Sequence, residues 1–225
     1  MPYKMNASEG NRAQVKKSSH QSLNEKSQKI EELRSAPNAA VGGSLEGPTY
    51  QEEQIQKAIE WFAMYLSSER ESYYGQGEPL SNHWKYSLHA YFDVPFLDQV
   101  RVLQLMDRRL DNPWFYPQAR EQGVRHLPDI THKTAATFLD VVVFNEKITG
   151  RDLFHGLVHA AQVRILGIPR FTELFVRGFL QARSYFLVPL KAHAFALDSR
   201  YASNPNDFFS VENEVRAWWR QGRYL

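Results

Sequence analysis

Along residues 54–74, Ile55, Ala58, Ile59, Phe62, Ala63 and Leu66 recur every three or four positions, the stripe of an amphipathic helix with one buried face. Leu97, Val100, Leu103 and Met106 repeat that spacing and predict a second helix over 96–109. The stretches SNHWKYSLHAYFDVP and DNPWFYPQAR are aromatic, broken by proline, and predict irregular structure. The run ATFLDVVVF (136–144) is short and β-branched, so it predicts one buried strand followed by the turn NEKITG. Phe154, Leu157, Val158, Ala161 and Ile165 return to helical spacing. Thr149 with Asp152 three residues on resembles a capping box opening that helix, and Gly167 and Pro169 close it. Further helices are predicted over 172–186, 190–201 and 207–220, the last with Val211, Val215, Trp218 and Trp219 inward. No internal repeat is visible. The expected fold class is mainly α with a minor strand component, as a single helical domain.

Residues 1–48 break the pattern. They are rich in Ser, Asn, Gln, Lys and Glu, have Tyr3 as their one aromatic, and end in AVGGSLEGP. Such a segment buries too little apolar area to offset its ordering entropy, so it is expected to be a flexible tail with at most a short helix over 25–34. The compact domain should span 49–225. Its hydrophobic content of 43% in a 225-residue chain suffices for one substantial core. The net charge is +2, with both signs interleaved, which gives no electrostatic support for nucleic-acid binding. No stretch has the length and apolarity of a membrane span or a secretory signal, so a cytoplasmic protein is the expectation. Cysteine is absent, so a metal site would have to use His, Asp or Glu.

The candidate chemistry lies in LFHGLVHAAQVRILG (153–167). His155 and His159 stand four apart, on one helix face and close enough for both imidazoles to reach one ion. In zinc peptidases this helix reads H-E-x-x-H, with the glutamate as general base. Here Gly156 takes that place. Histidines so spaced also occur as buried core residues, and the downstream sequence decides between the readings.

Those residues resemble a group of small zincin-type metalloproteins whose helix reads roughly H-E-L-V-H-x-x-Q-x-x-x-L-G. In that group a later Y-x-x-I-P-L-E-x-E-A-Y-A supplies a glutamate as third ligand. The likeness covers about 136–200: Gln162 and Gly167 match the Q and G, Val188-Pro189-Leu190 replaces I-P-L, and Ala194-Phe195-Ala196 replaces A-Y-A. It implies one zinc ion held by His155, His159 and, where the ligand glutamate is expected, His193. Three neutral imidazoles would leave the ion a stronger Lewis acid, and loss of the glutamate would remove the hydrolytic base and leave space beside the metal.

Within that group the chain resembles fungal cyclopenases of quinolone alkaloid secondary metabolism. These are zinc-dependent lyases that convert a cyclopenin-type benzodiazepinedione epoxide to a viridicatin-type quinoline with loss of methyl isocyanate. Proton carriers nearby in sequence are Glu146, Asp152, Glu173 and Tyr185. Gln162, Phe154 and Arg183 are candidates to contact a small aromatic substrate. Two other classes stay open: a hydrolase that uses another carboxylate as base, and a pseudoenzyme in which the metal or the histidine helix serves the fold. The oligomeric state is left open.

Overall fold

The computed structural model describes residues 50–182, 185–204 and 206–225. The expected tail (1–48), its short helix over 25–34 and Arg183 lie outside the described residues. The elements run α1 (Glu52–Tyr74), β1 (Glu78–Pro79), α2 (Asn82–Leu88), α3 (Val94–Gln99), β2 (Arg101–Gln104), α4 (Tyr116–Glu121), β3 (Ala135–Phe138), β4 (Val141–Phe144), α5 (Gly150–Leu166), α6 (Ile168–Gln181), α7 (Pro189–Ser203) and α8 (Val211–Arg220). The domain is mainly helical around one small mixed sheet, as the patterning predicts. None of the described helices is long and apolar enough to cross a membrane.

The sheet has the order β1-β2-β4-β3, with β2 and β4 parallel and both outer pairs antiparallel. All four residues of β4 are fully buried, because both faces are covered. Val142 and Phe144 join the core beneath α5, with Leu153, Phe154 and Leu157. Val141 and Val143 join the core beneath α1, with Tyr65 and Leu66. Helix α5 is therefore internal. Residues from all round it, including His159 and Gln162, are buried, and α6, α7 and α8 pack against it.

Two elements correct the sequence reading. The run 136–144 is a hairpin, with β3 and β4 joined through Leu139 and Asp140. Leu139 takes φ 57°, a turn conformation usually left to glycine or asparagine, so the usual turn signal is missing. Arg70 of α1 holds the turn by two bonds to the Asp140 carboxylate, of 2.8 and 2.9 Å. The stretch 96–109 is not one helix, since α3 stops at Gln99 and β2 follows. Its backbone is drawn into the sheet, where Arg101 N–H donates to Asp140 O and Leu105 N–H to Phe144 O. Residues 82–88, expected to be irregular, form α2, N-capped by Ser81.

Candidate functional site

Helix α5 begins as its sequence dictates. Thr149 accepts the Asp152 N–H at 3.1 Å and donates its hydroxyl to the Asp152 carboxylate at 2.6 Å. One turn on, Gly156 meets the sheet. A Cβ added there would lie 2.6 Å from Val142 Cγ1, and the Gly156 carbonyl accepts the Thr137 hydroxyl at 3.1 Å. The expectation that this glycine leaves space beside a metal is corrected: it is the seat of the helix on β3 and β4. A glutamate could not stand there without lifting the helix off the strands.

His155 and His159 do come together, with ring centroids 4.9 Å apart. Each Nδ1 is fixed from behind. His155 donates to Asp198 Oδ2 at 2.7 Å, and His159 donates to Gln162 Oε1 at 2.8 Å. Gln162 is in turn oriented by donating to Leu190 O at 3.0 Å. Arg151 grips Asp198 Oδ1 through Nε and Nη2, at 2.9 and 2.7 Å. Carboxylate and amide oxygens only accept, so both protons sit on Nδ1 and both Nε2 atoms keep free lone pairs.

Lys191 lies between those lone pairs. Its Nζ is 3.2 Å from His155 Nε2 and 3.1 Å from His159 Nε2. Burial pushes the lysine down to about 7, with Lys133 adding to the effect and Asp198 opposing it. Burial also holds both imidazoles well below the usual histidine range, reinforced by Lys191, so they are neutral at physiological pH. Burial raises Asp198 to about 6 despite Arg151, leaving it largely ionised at pH 7. Aromatic rings wall the lysine: Tyr185 at 5.2 Å and Phe195 at 5.5 Å from Nζ, with Phe195 also 4.6 Å from the His155 ring.

His193 is not part of this group. It stacks on Trp218 at 3.9 Å and 11°, and its Nδ1 lies 2.6 Å from the Tyr224 hydroxyl. Its Nε2 is buried without a hydrogen-bond partner. Among the described residues no cluster of three or more His, Cys, Asp or Glu side chains is arranged to hold a metal ion. In the P-L-E-x-E register, position 191 is the first glutamate and 193 the second; the structure turns the first toward the imidazoles and the second into the core.

The other sequence candidates scatter. Glu146 is exposed and pairs with Arg109 at 3.2 Å, Asp152 belongs to the helix cap, and Glu173 pairs with Arg170 and Arg177 on the surface of α6. Phe154 is core, stacked on Tyr201 at 4.3 Å. Gln162 is fully buried behind His159 and accepts its Nδ1–H. Tyr185 alone of the four proton carriers stands beside the centre. Sequence reasoning missed Lys191, Asp198 and Arg151. Asp198 follows Lys191 by seven positions, two helical turns, which is the one signal that would have placed it on the same face.

Part of a metal ion's donor set is present. Two imidazoles fit, each with a free Nε2 and a fixed Nδ1–H. Two nitrogens bound about 2.0–2.1 Å from one tetrahedral ion would be roughly 3.3 Å apart. Lys191 Nζ thus stands at ligand-to-ligand spacing, not at the ion's own place. Compared with protein-family models, curated proteins and solved structures, the chain matches none.

Proposed function

We propose that this chain is a metal-dependent lyase acting on a small aromatic, oxygen-rich molecule, of the cyclopenase kind. The observation that carries the reading is the convergence of two imidazole lone pairs, each held by a fixed Nδ1–H bond, beside an amine at ligand spacing. His155 and His159 would hold the ion, with Lys191 as third donor in its unprotonated form. Zinc, the ion of the zincin-like likeness, would supply Lewis-acid polarisation of a substrate oxygen.

The chain's own groups set the rest. Asp198 and Gln162 orient the imidazoles, and Arg151 keeps Asp198 in place. Glu146, Asp152 and Glu173 are committed elsewhere, and Gly156 admits no side chain. Asp198 is held by His155 and Arg151, so none of these described carboxylates is free to activate water, which supports rearrangement or elimination over hydrolysis. Burial keeps the Tyr185 phenol protonated, and its ring centroid lies 5.2 Å from Lys191 Nζ.

A second reading rests on the same distances: Lys191 as a permanent ammonium donating to both Nε2 atoms makes a metal-free, non-catalytic core. Elemental analysis separates the two. The metal reading expects one zinc per chain, lost in His159→Ala, weakened at least tenfold in Lys191→Met and unchanged in folded His193→Phe. Turnover of a cyclopenin-type epoxide should follow the zinc content. A wild type purified without chelators that carries no metal overturns the metal reading in favour of the second.

A further inference from the structure

Helix α8 turns one side to the core and the other to solvent. Val211, Glu212 and Val215 are buried. Arg216 and Arg220 stand one turn apart, within about 40° of each other round the axis, and Asn213 lies one turn earlier; all three are exposed. The crest of the helix is therefore basic. Arg220 Nε donates to Arg216 O at 3.3 Å, and Arg223, in the turn that follows, is also exposed.

The carboxylates of α8 and of the adjoining α6 are engaged. Glu212 accepts the Asp93 N–H at 3.0 Å and the Ser210 hydroxyl at 3.3 Å, Glu214 pairs with Arg200 at 3.2 Å, and Glu173 pairs with Arg170 at 2.8 Å. Among the described residues Arg216, Arg220 and Arg223 have no ion pair. Three unpaired guanidiniums gathered about one short helix repel one another, and an anionic surface would relieve that repulsion. The net charge of the whole chain is only +2, so the excess is local.

The tryptophans beside them are taken. Trp218 is half-buried, with His193 stacked on it at 3.9 Å and the Arg223 guanidinium 4.3 Å over its ring. Trp219 is half-buried under Arg170 at 5.2 Å. A guanidinium stacked on an indole keeps its N–H edge for an anion. An indole so occupied offers no platform for a base, which argues against single-stranded nucleic acid. A helix crest is convex and its charges are spread, which suits a plane of headgroups more than one anion in a pocket. Arginine and tryptophan, with the exposed Leu225, are side chains that sit well at a membrane–water interface.

We propose that the crest of α8 docks this protein on an anionic membrane surface, with Arg216, Arg220 and Arg223 among the charged headgroups. The contact is peripheral, and none of the described helices would cross the bilayer. It stands apart from the histidine centre.

Co-sedimentation of the full chain with phosphatidylcholine vesicles, with and without phosphatidylserine, tests the assignment. Binding should be at least tenfold tighter with phosphatidylserine and should weaken as salt is added. Arg216→Gln with Arg220→Gln should remove most of that preference, and Arg216→Lys with Arg220→Lys should keep it. Arg125→Gln with Lys147→Gln removes as much charge outside α8 and should leave most of the preference in place. Circular dichroism checks that each variant is folded. Equal binding to both vesicles, no binding, loss in the lysine pair, or equal loss in both glutamine pairs overturns the proposal. So does a chain that ignores vesicles and takes polyglutamate or duplex DNA, which would give the crest to an acidic protein or to nucleic acid.

Discussion

His155 and His159 on α5, and His193 on α7, meet opposite fates. The α5 pair are neutral imidazoles with protons fixed on Nδ1 and lone pairs turned toward a charged amine. His193 is pressed flat on Trp218, and burial drives it down to about 3, with Arg223 adding to the effect. Its Nε2 is buried without a hydrogen-bond partner. All three Nδ1 atoms have a partner, and the difference lies at Nε2: that of the α5 pair meets Lys191, whereas His193 is held flat against an indole face with its Nε2 buried.

The severest way to break this comparison is to move α5. Gly156→Glu would force a carboxylate against Val142 at a place with no room for a Cβ. It should cost several kcal/mol through overpacking and a buried charge, enough to leave little folded protein on a melting curve. A well-folded Gly156→Glu chain would show that α5 is not seated on the sheet as described.

Lys191 gives the next largest effect. Its folded pKa of about 7 is below the 10.5 of a free lysine, so the unfolded chain binds more protons between those values. Stability should therefore rise with pH from about 7 to about 10.5 in metal-free protein, by up to a few kcal/mol. In Lys191→Met, urea midpoints should lose this rise; a rise that persists would place the titrating group elsewhere.

The comparison sharpens at His193→Phe, which keeps the stack on Trp218 and removes both the stranded Nε2 and the bond from Nδ1 to Tyr224. We expect a stability change within about 2 kcal/mol and an unaltered absorption spectrum for cobalt bound at the α5 pair. A changed cobalt spectrum would bring His193 back among the ligands. The smallest effect belongs to Thr149→Ala, which removes the α5 cap and should cost about 1 kcal/mol in chemical denaturation.

Much of this was legible in the sequence. The helical spacing found α1 and α5 to within a few residues, and Thr149 and Gly167 marked the ends of α5. The local signals failed where partners far along the chain decided the outcome. Leu103 and Val100 read as a helix because their spacing fits one, yet the main chain of β4 offered better bonds. The hairpin was hidden because Leu139 carries the turn without glycine, with Arg70 holding Asp140 from seventy positions away. At the site, the pair at 155 and 159 is visible because both sit on one helix. Lys191 and Asp198 sit on another, and choosing 191 over 193 requires knowing which face of α7 meets α5.

The parallel pairing of β2 with β4 also sets the order in which the molecule can assemble. Arg101 meets Val141 forty positions later, a contact no local turn can make, so closing the sheet is entropically slow. Gly156 packs against Val142, and α7, which carries Lys191, packs against α5, so we expect the order sheet, α5, α7. The imidazole pair should thus be the last part of the domain to gain protection in pulsed hydrogen exchange during refolding, after the amides of β4. The histidine pair of this chain waits on its slowest strand.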